Sequence, residues 1–284
     1  MKKTLVKSIL LAIFGMMVVQ NVNAQKISAG EEVATNIGPG LGANDYFYYD
    51  NILYQVVTPV ANDNYEAKAV AFFGESLPAE IEILGGGQAN SCTFTVTEIE
   101  ALNSVKTMSG TSYVAGDASA LSAITTIIFV KEDGFNGFAG TIKAGAFANL
   151  SGLQFVYTYL NVPPTAEAGS FARALATKAR LTVPVDENSS KVWGTTAGKY
   201  ANATGWSDFT KIYTDGDEKA FGNFDMDNTI IPADASALLK FINNRFSSSS
   251  PYNANSQDVD GNTVRQPADA SALLKMINAR KRAQ

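Results

Sequence analysis

One nine-residue phrase near the end of the chain occurs twice, and this duplication narrows the possible folds more than any other feature. Pro232 to Lys240 reads PADASALLK, and Pro267 to Lys275 repeats it 35 residues later. Oxygen-bearing side chains alternate ahead of each copy. The first series is Asn223, Asp225, Asp227 and then Asp234; the second is Asp258, Asp260, Asn262 and then Asp269. Both occupy positions 1, 3, 5 and 12 of a loop. A tight loop can turn every second side chain inward, and the twelfth residue closes the shell from the first turn of a helix. This is the arrangement that wraps a hard, oxygen-seeking cation, with the residue at position 7, here Thr229 or Val264, completing each set through its carbonyl. Two calcium ions are expected, one per loop. Isolated acidic turns with Asp234 and Asp269 as helix caps would need the same residues, but two copies at matched spacing favour the cation.

A helix is expected after each loop. Ala235, Leu238, Leu239 and Ile242 fall at i, i+3, i+4 and i+7, and Ala270, Leu273, Leu274 and Ile277 repeat the pattern, so each helix has one apolar face. Position 6, where a glycine would ease the sharp bend, is Asn228 in one loop and Thr263 in the other. A β-branched residue does not readily enter the left-handed region, so the second loop is expected either to distort or to turn at Gly261.

These paired loop–helix units, from about Phe221 to Lys281, resemble the type I dockerin module. The resemblance implies a small all-α domain that plugs into a cohesin-like protein partner in a calcium-dependent way. It places the partner contacts just before the last ligand and on the following helix, at Pro232, Ala233, Leu239 and Lys240, and at Pro267, Ala268, Leu274 and Lys275. Dockerins often carry Ser-Thr where this chain has Pro-Ala. Because the copies are identical there, either half could occupy the same receptor after a half-turn.

The start of the chain reads as a secretory signal. Lys2, Lys3 and Lys7 precede an apolar run from Ile9 to Val19, and Val22-Asn23-Ala24 offers small residues for cleavage. That run is short for a bilayer crossing, so no membrane span is expected once residues 1–24 are removed. A secreted location, extracellular or cell-surface with the periplasm as an alternative, follows. Residues 25–44, with Pro39 between two glycines, read as a flexible lead-in. The lone Cys92 cannot form an internal disulfide and sits in a strand-like alternation. There is no histidine, which excludes His-based triads and His zinc ligands. The formal charge of −5 and the lack of a basic run argue against nucleic acid.

A weaker repeat fills the middle. Segments starting at Ala115, Ala144 and Ala168 each lead through spaced apolar residues to a short strand, at Ile127-Ile128-Phe129, Phe155-Val156-Tyr157 and Leu181-Thr182-Val183. Offsets of 29 and 24 suit a leucine-rich solenoid with one short strand per repeat. The wording AGAFANLSGLQFV at Ala144 to Val156, LTVPV at Leu181 to Val185 and YANATGWSDF at Tyr200 to Phe209 resembles the BspA-like leucine-rich repeat family. So do DNILYQVV at Asp50 to Val57 and TFTVTEI at Thr93 to Ile99. That family is associated with surface adhesion and protein binding, and the resemblance offers no catalytic residues. It implies a host or surface protein as a possible ligand of the repeat region.

The expected architecture is therefore a mainly β leucine-rich-repeat solenoid over residues 45–213, a linker at 214–221 and a dockerin-like domain at 222–284. Chelation is expected to unfold residues 222–280 and to spare the rest. The expected function is non-catalytic assembly. One alternative is an adhesin whose calcium module is purely structural. A polysaccharide-degrading component is the other, although Glu75, Glu80, Glu98 and Asp133 form no recognisable acid pair.

Overall fold

Four short β-ribbons start the fold because their turns demand it. The computed structural model describes residues 35–130, 137–185, 194–216, 219–226, 229–244 and 252–282. Strands β1 (Tyr46–Tyr49), β2 (Ile52–Val60) and β3 (Asn64–Phe73) form an antiparallel meander. A second hairpin joins β5 (Gly86–Ala89) to β6 (Cys92–Ile99), and a third joins β7 (Val105–Ser109) to β8 (Ser112–Ala115). The two-residue turn at Asn90-Ser91 has positive φ at both positions, and that at Gly110-Thr111 has it at Gly110. Positive φ at these places matches the right-handed twist of the flanking strands, so the chain folds straight back. Residues 35–37 join the same layer: Thr35 bridges to Tyr49, and Ile37 is buried.

Downstream, the connections become parallel. Strand β4 (Glu80–Ile83) pairs with β9 (Thr126–Phe129), and β11 (Phe155–Thr158), β13 (Arg180–Val183) and β14 (Lys211–Thr214) follow, giving the order β14-β13-β11-β9-β4 with every pair parallel. Ile81, Ile127, Val156, Leu181 and Ile212 share one register row, and all are buried. The two-residue strands β10 (Thr141–Ile142) and β12 (Thr165–Ala166) extend the first sheet in parallel beside β6.

Aromatic side chains fill the space between these layers. Phe147 and Phe171 stack at 4.9 Å, and Trp206 lies edge-on to Phe129 at 5.3 Å. The Trp206 ring N–H donates to the Pro164 carbonyl at 2.9 Å, so its one polar atom is satisfied in the interior. Tyr200, Trp206 and Phe209 are all buried. The Tyr200 hydroxyl meets Thr158 Oγ1 at 2.9 Å, and burial drives its pKa far above the ordinary phenol value. Cys92 is a buried small side chain.

The structure departs from the expected leucine-rich-repeat solenoid followed by a separate all-α domain. The first sheet has nine strands of mixed direction, because hairpin turns, not solenoid coils, organise residues 46–115. The short helix α1 (Arg173–Ala176) and helix α2 (Thr195–Asn202) sit among the repeats. The terminal helices α3 (Pro232–Ile242) and α4 (Pro267–Arg282) do not make a domain with its own core. Their Leu238, Leu273 and Ile277 belong to the same hydrophobic cluster as the sheets, with Phe221, Phe224 and Val259 between. The Phe221 N–H donates to the Ile212 carbonyl of β14, so the segment expected as a linker is pinned at its end. Residues 1–34, including the expected signal, lie outside the described residues.

Because Phe171 is buried against Phe147, Trp206 and Phe209, Phe171→Ala should cost about 3–5 kcal/mol of stability by leaving an unfilled cavity. Urea unfolding monitored by tryptophan fluorescence measures this directly.

Candidate metal centre

The closing carboxylates of the two loops make the same three hydrogen bonds. Asp234 is fully buried at the third position of α3. Its Oδ1 accepts the N–H groups of Phe224 at 2.6 Å and Asp225 at 3.3 Å, and its Oδ2 accepts that of Ile231 at 2.8 Å. Asp269, equally buried, repeats all three. Oδ1 takes Val259 at 2.8 Å and Asp260 at 3.4 Å, and Oδ2 takes Gln266 at 2.8 Å. Each carboxylate thus ties the start of its loop to the start of its helix and caps an otherwise unpaired N–H there. Pro232 and Pro267 open the helices, where a missing N–H costs nothing.

In the second loop Asp258, Asp260 and Asp269 bring one oxygen each within 4.8 Å of one another. Asp258 and Asp269 are fully buried, and this triple of carboxylates could hold a metal ion. Asn262 lies among them, its Nδ2 donating to Asp260 Oδ2 at 2.9 Å and its Oδ1 accepting from the Val264 N–H at 2.7 Å. Val264 itself is 53% exposed. The donor set is oxygen only, which suits a hard cation and not a soft one. Burial pushes the carboxyls of Asp258, Asp269 and Asp234 above their ordinary range, against the pull of the backbone N–H groups, and Thr195 also opposes it at Asp258. A cation among them would reverse that direction by favouring the charged forms.

Loop backbones carry the same signature. Position 4 has positive φ in both, at Met226 (62°) and Gly261 (73°). Position 6 of the second loop, Thr263, also has φ of 72°. The expected choice between distortion and a turn at Gly261 is resolved as both residues left-handed, with Thr263 costing about 1–2 kcal/mol. Its N–H is paid back by donating to Asp258 Oδ2 at 2.8 Å.

The first loop is described at Asn223, Asp225, Thr229 and Asp234; Asp227 and Asn228 lie outside the described residues. Asn223 is 3% exposed, and among the described residues its Oδ1 has no hydrogen-bond partner. An unpaired buried carbonyl costs about 1–3 kcal/mol. A cation at position 1 of the loop would satisfy it, so the residues present fit such a group.

One contact was invisible in the sequence. Thr195 at the start of α2 donates its hydroxyl to Asp258 Oδ2 at 2.6 Å, and Asn202 Nδ2 donates to the Val259 carbonyl at 2.9 Å. A side chain at Gly198 would place its Cβ 2.5 Å from the Asp258 carbonyl oxygen, and one at Gly261 would fall 2.7 Å from the Lys199 nitrogen. Backbone lies against backbone here, and only glycine permits it. The second loop is therefore seated on α2, and chelation should loosen α2 together with the loop instead of sparing everything before residue 222. No signal in the sequence joins Thr195 to Asp258, because the pair is made by packing across 63 residues.

The residues expected to meet a partner are all exposed: Pro232, Ala233, Leu239 and Lys240 on α3, and Pro267, Ala268, Leu274 and Lys275 on α4. The expected inward stripe is narrower than the periodicity suggests, since Leu238 and Leu273 are buried while Leu239 and Leu274 face solvent. No protein-family model, curated protein or solved structure matches the chain.

Two measurements check this site. In the cation-free protein the raised carboxyls stabilise the fold only while protonated. Their contribution is complete below the ordinary value of 3.8 and is lost as pH rises through the raised folded values. Asp260→Asn, which removes a like charge from Asp258 and Asp269, should raise cation-free stability at neutral pH by about 1–2 kcal/mol. The same variant should shrink the rise in Tm that a divalent cation produces. Gly198→Ala should cost about 1–3 kcal/mol through overpacking and weaken cation binding to the second loop while leaving the first unchanged, as read by calorimetric titration.

Proposed function

We propose that the chain is a secreted, non-catalytic assembly protein that docks to a cohesin-like receptor through its calcium-loaded C-terminal helix pair. Calcium is the cation of choice because both loops offer hard oxygen donors at the spacing that ion favours, and because extracellular modules of this kind work at the calcium levels found outside cells. The parallel sheet is the part that presents an open face to a second ligand.

The observation that carries this reading is the matched exposure of the two copies. Leu239 is 39% and Leu274 is 40% exposed, each beside an exposed lysine and about two turns beyond an exposed Pro-Ala pair. An unpartnered helix would gain by turning such a leucine inward, yet both point out while their neighbours Leu238 and Leu273 are buried. Two equivalent apolar knobs on related helices suit a receptor that grips either one.

A second reading is favoured by the seat of the second loop on α2. The Thr195–Asp258 bond makes that loop an internal joint, which suits an adhesin whose cation sites are purely structural.

Capture by an immobilised cohesin module separates the two. Docking should need calcium, survive Leu239→Asp or Leu274→Asp alone, and fail in the double variant. Calcium-dependent melting with no capture would support the structural reading and overturn the docking one.

A further inference from the structure

The outward face of the parallel sheet is chemically graded in a way that neither the fold nor the cation loops require. Register places Phe155, Arg180 and Lys211 side by side on β11, β13 and β14, and Tyr157, Thr182 and Tyr213 side by side in the next outward row. The Phe155 and Tyr157 rings are stacked, 6.2 Å apart with 22° between their planes, and Phe155 is 36% exposed. The exposed Phe155 ring is a flat apolar plate at the start of β11, with the Tyr157 ring beside it. Beside it the Arg180 guanidinium lies over the Tyr213 ring at 3.9 Å, with its Nε donating to Thr182 Oγ1 at 3.3 Å, so it is held in place. Lys211 Nζ donates to the Lys178 carbonyl at 3.1 Å, which anchors its ammonium group.

Phe155, Lys178, Arg180, Lys211 and Tyr213 line an open groove of about 530 Å³ at the N-terminal ends of the strands, with Gln154 exposed on its rim. The lining holds three cationic side chains and no carboxylate, on a chain whose formal charge is −5. Glu80, Glu82 and Asp215 lie on the same face but outside the groove lining, and Glu80 and Asp215 are near enough to Tyr157 to act on its ionisation together with Arg180. The local charge is therefore opposite to the global one, which selects an anionic ligand.

Size and position choose among anions. A groove of this volume suits a small ligand, whereas a stable protein partner would need roughly 1,200 Å² or more of matched surface. A peptide adding itself as a strand would need an open sheet edge, and this groove lies over the face, where the backbone groups of β11 and β13 are already paired with each other. What the face offers is an aromatic plate for the apolar side of a sugar ring, an amide for hydroxyl groups, and cations one strand spacing, about 4.8 Å, from the plate.

We propose that this groove binds an acidic saccharide, with a pyranose ring stacked on Phe155 and its carboxylate or sulfate held by Arg180, Lys211 and Lys178. This rests on the reading of the parallel sheet as the ligand-presenting face and is independent of the cation loops.

The test titrates the full chain, in calcium, with four probes by calorimetry: a hyaluronan tetrasaccharide, a chondroitin sulfate tetrasaccharide, neutral chitotetraose and tetraglutamate. At least one of the two acidic saccharides should saturate the protein: binding of hyaluronan shows that a carboxylate suffices, and binding of chondroitin sulfate alone, which carries both groups, shows that the sulfate is needed. Chitotetraose and tetraglutamate should each bind at least about tenfold more weakly, since each lacks one half of the recognition. Arg180→Ala and Lys211→Ala should each weaken the acidic saccharide about tenfold, and Phe155→Ala should abolish the preference for saccharide over tetraglutamate. Cohesin capture measured on the same preparations tells failure of docking and failure of this proposal apart. The proposal is overturned if neither acidic saccharide saturates, if tetraglutamate or chitotetraose binds as tightly, or if the three groove variants, shown folded by circular dichroism, bind like the parent.

Discussion

The twelfth-position carboxylate of each loop is the interaction on which the C-terminal third depends. Asp234 and Asp269 are fully buried, and each accepts three backbone N–H groups drawn from both ends of its own loop. One side chain thereby caps a helix, closes a twelve-residue circuit and presents a negative charge to the loop interior. Burial opposes that charge and the N–H groups support it. A cation held there would settle the contest in favour of the charged form and link folding to ion binding.

Around that circuit the protein tolerates local cost. Thr263 adopts a backbone that β-branched residues avoid, and Asn223 buries an unpaired carbonyl. Both sit at positions 6 and 1 of the loops, where ion-wrapping geometry makes its strongest demands. Strain and unpaired polarity at one kind of place suggest a common cause, and a bound ion would supply it at Asn223. The glycine pair Gly198 and Gly261 lets the second loop rest against α2 without any side chain between. The two loops, identical in local wiring, thus differ in surroundings: the second is built into the body of the protein through Thr195 and Asn202.

The sheets have a different logic. Antiparallel ribbons come first because Asn90-Ser91 and Gly110-Thr111 turn tightly, and parallel strands follow because each later repeat must travel over the core before pairing again. One outcome is a parallel sheet with a fully apolar inner row and a graded outer one. The inner row needs only aliphatic residues, so the outer row is free to vary, and it carries Phe155, Arg180 and Lys211 at matched register.

What could be read from the sequence alone was whatever is encoded over short spans. The duplicated phrase, the 1-3-5-12 oxygen spacing, the helices that follow and the later repeat strands depend on neighbours within a dozen residues or so, and they stand where periodicity placed them. The outward turn of Leu239 and Leu274 was not legible, since apolar spacing cannot say which edge of a stripe meets the core. The hairpins of the first sheet were signalled by Asn-Ser and Gly-Thr pairs but masked by the stronger repeat pattern, so a solenoid was expected where mixed sheets form. Only the tertiary structure could bring Thr195 to Asp258, merge the terminal helices into the common core, and line up three cations beside an aromatic plate. Those features join residues tens of positions apart, and such pairs are chosen by shape and burial, which leave no local spacing to read.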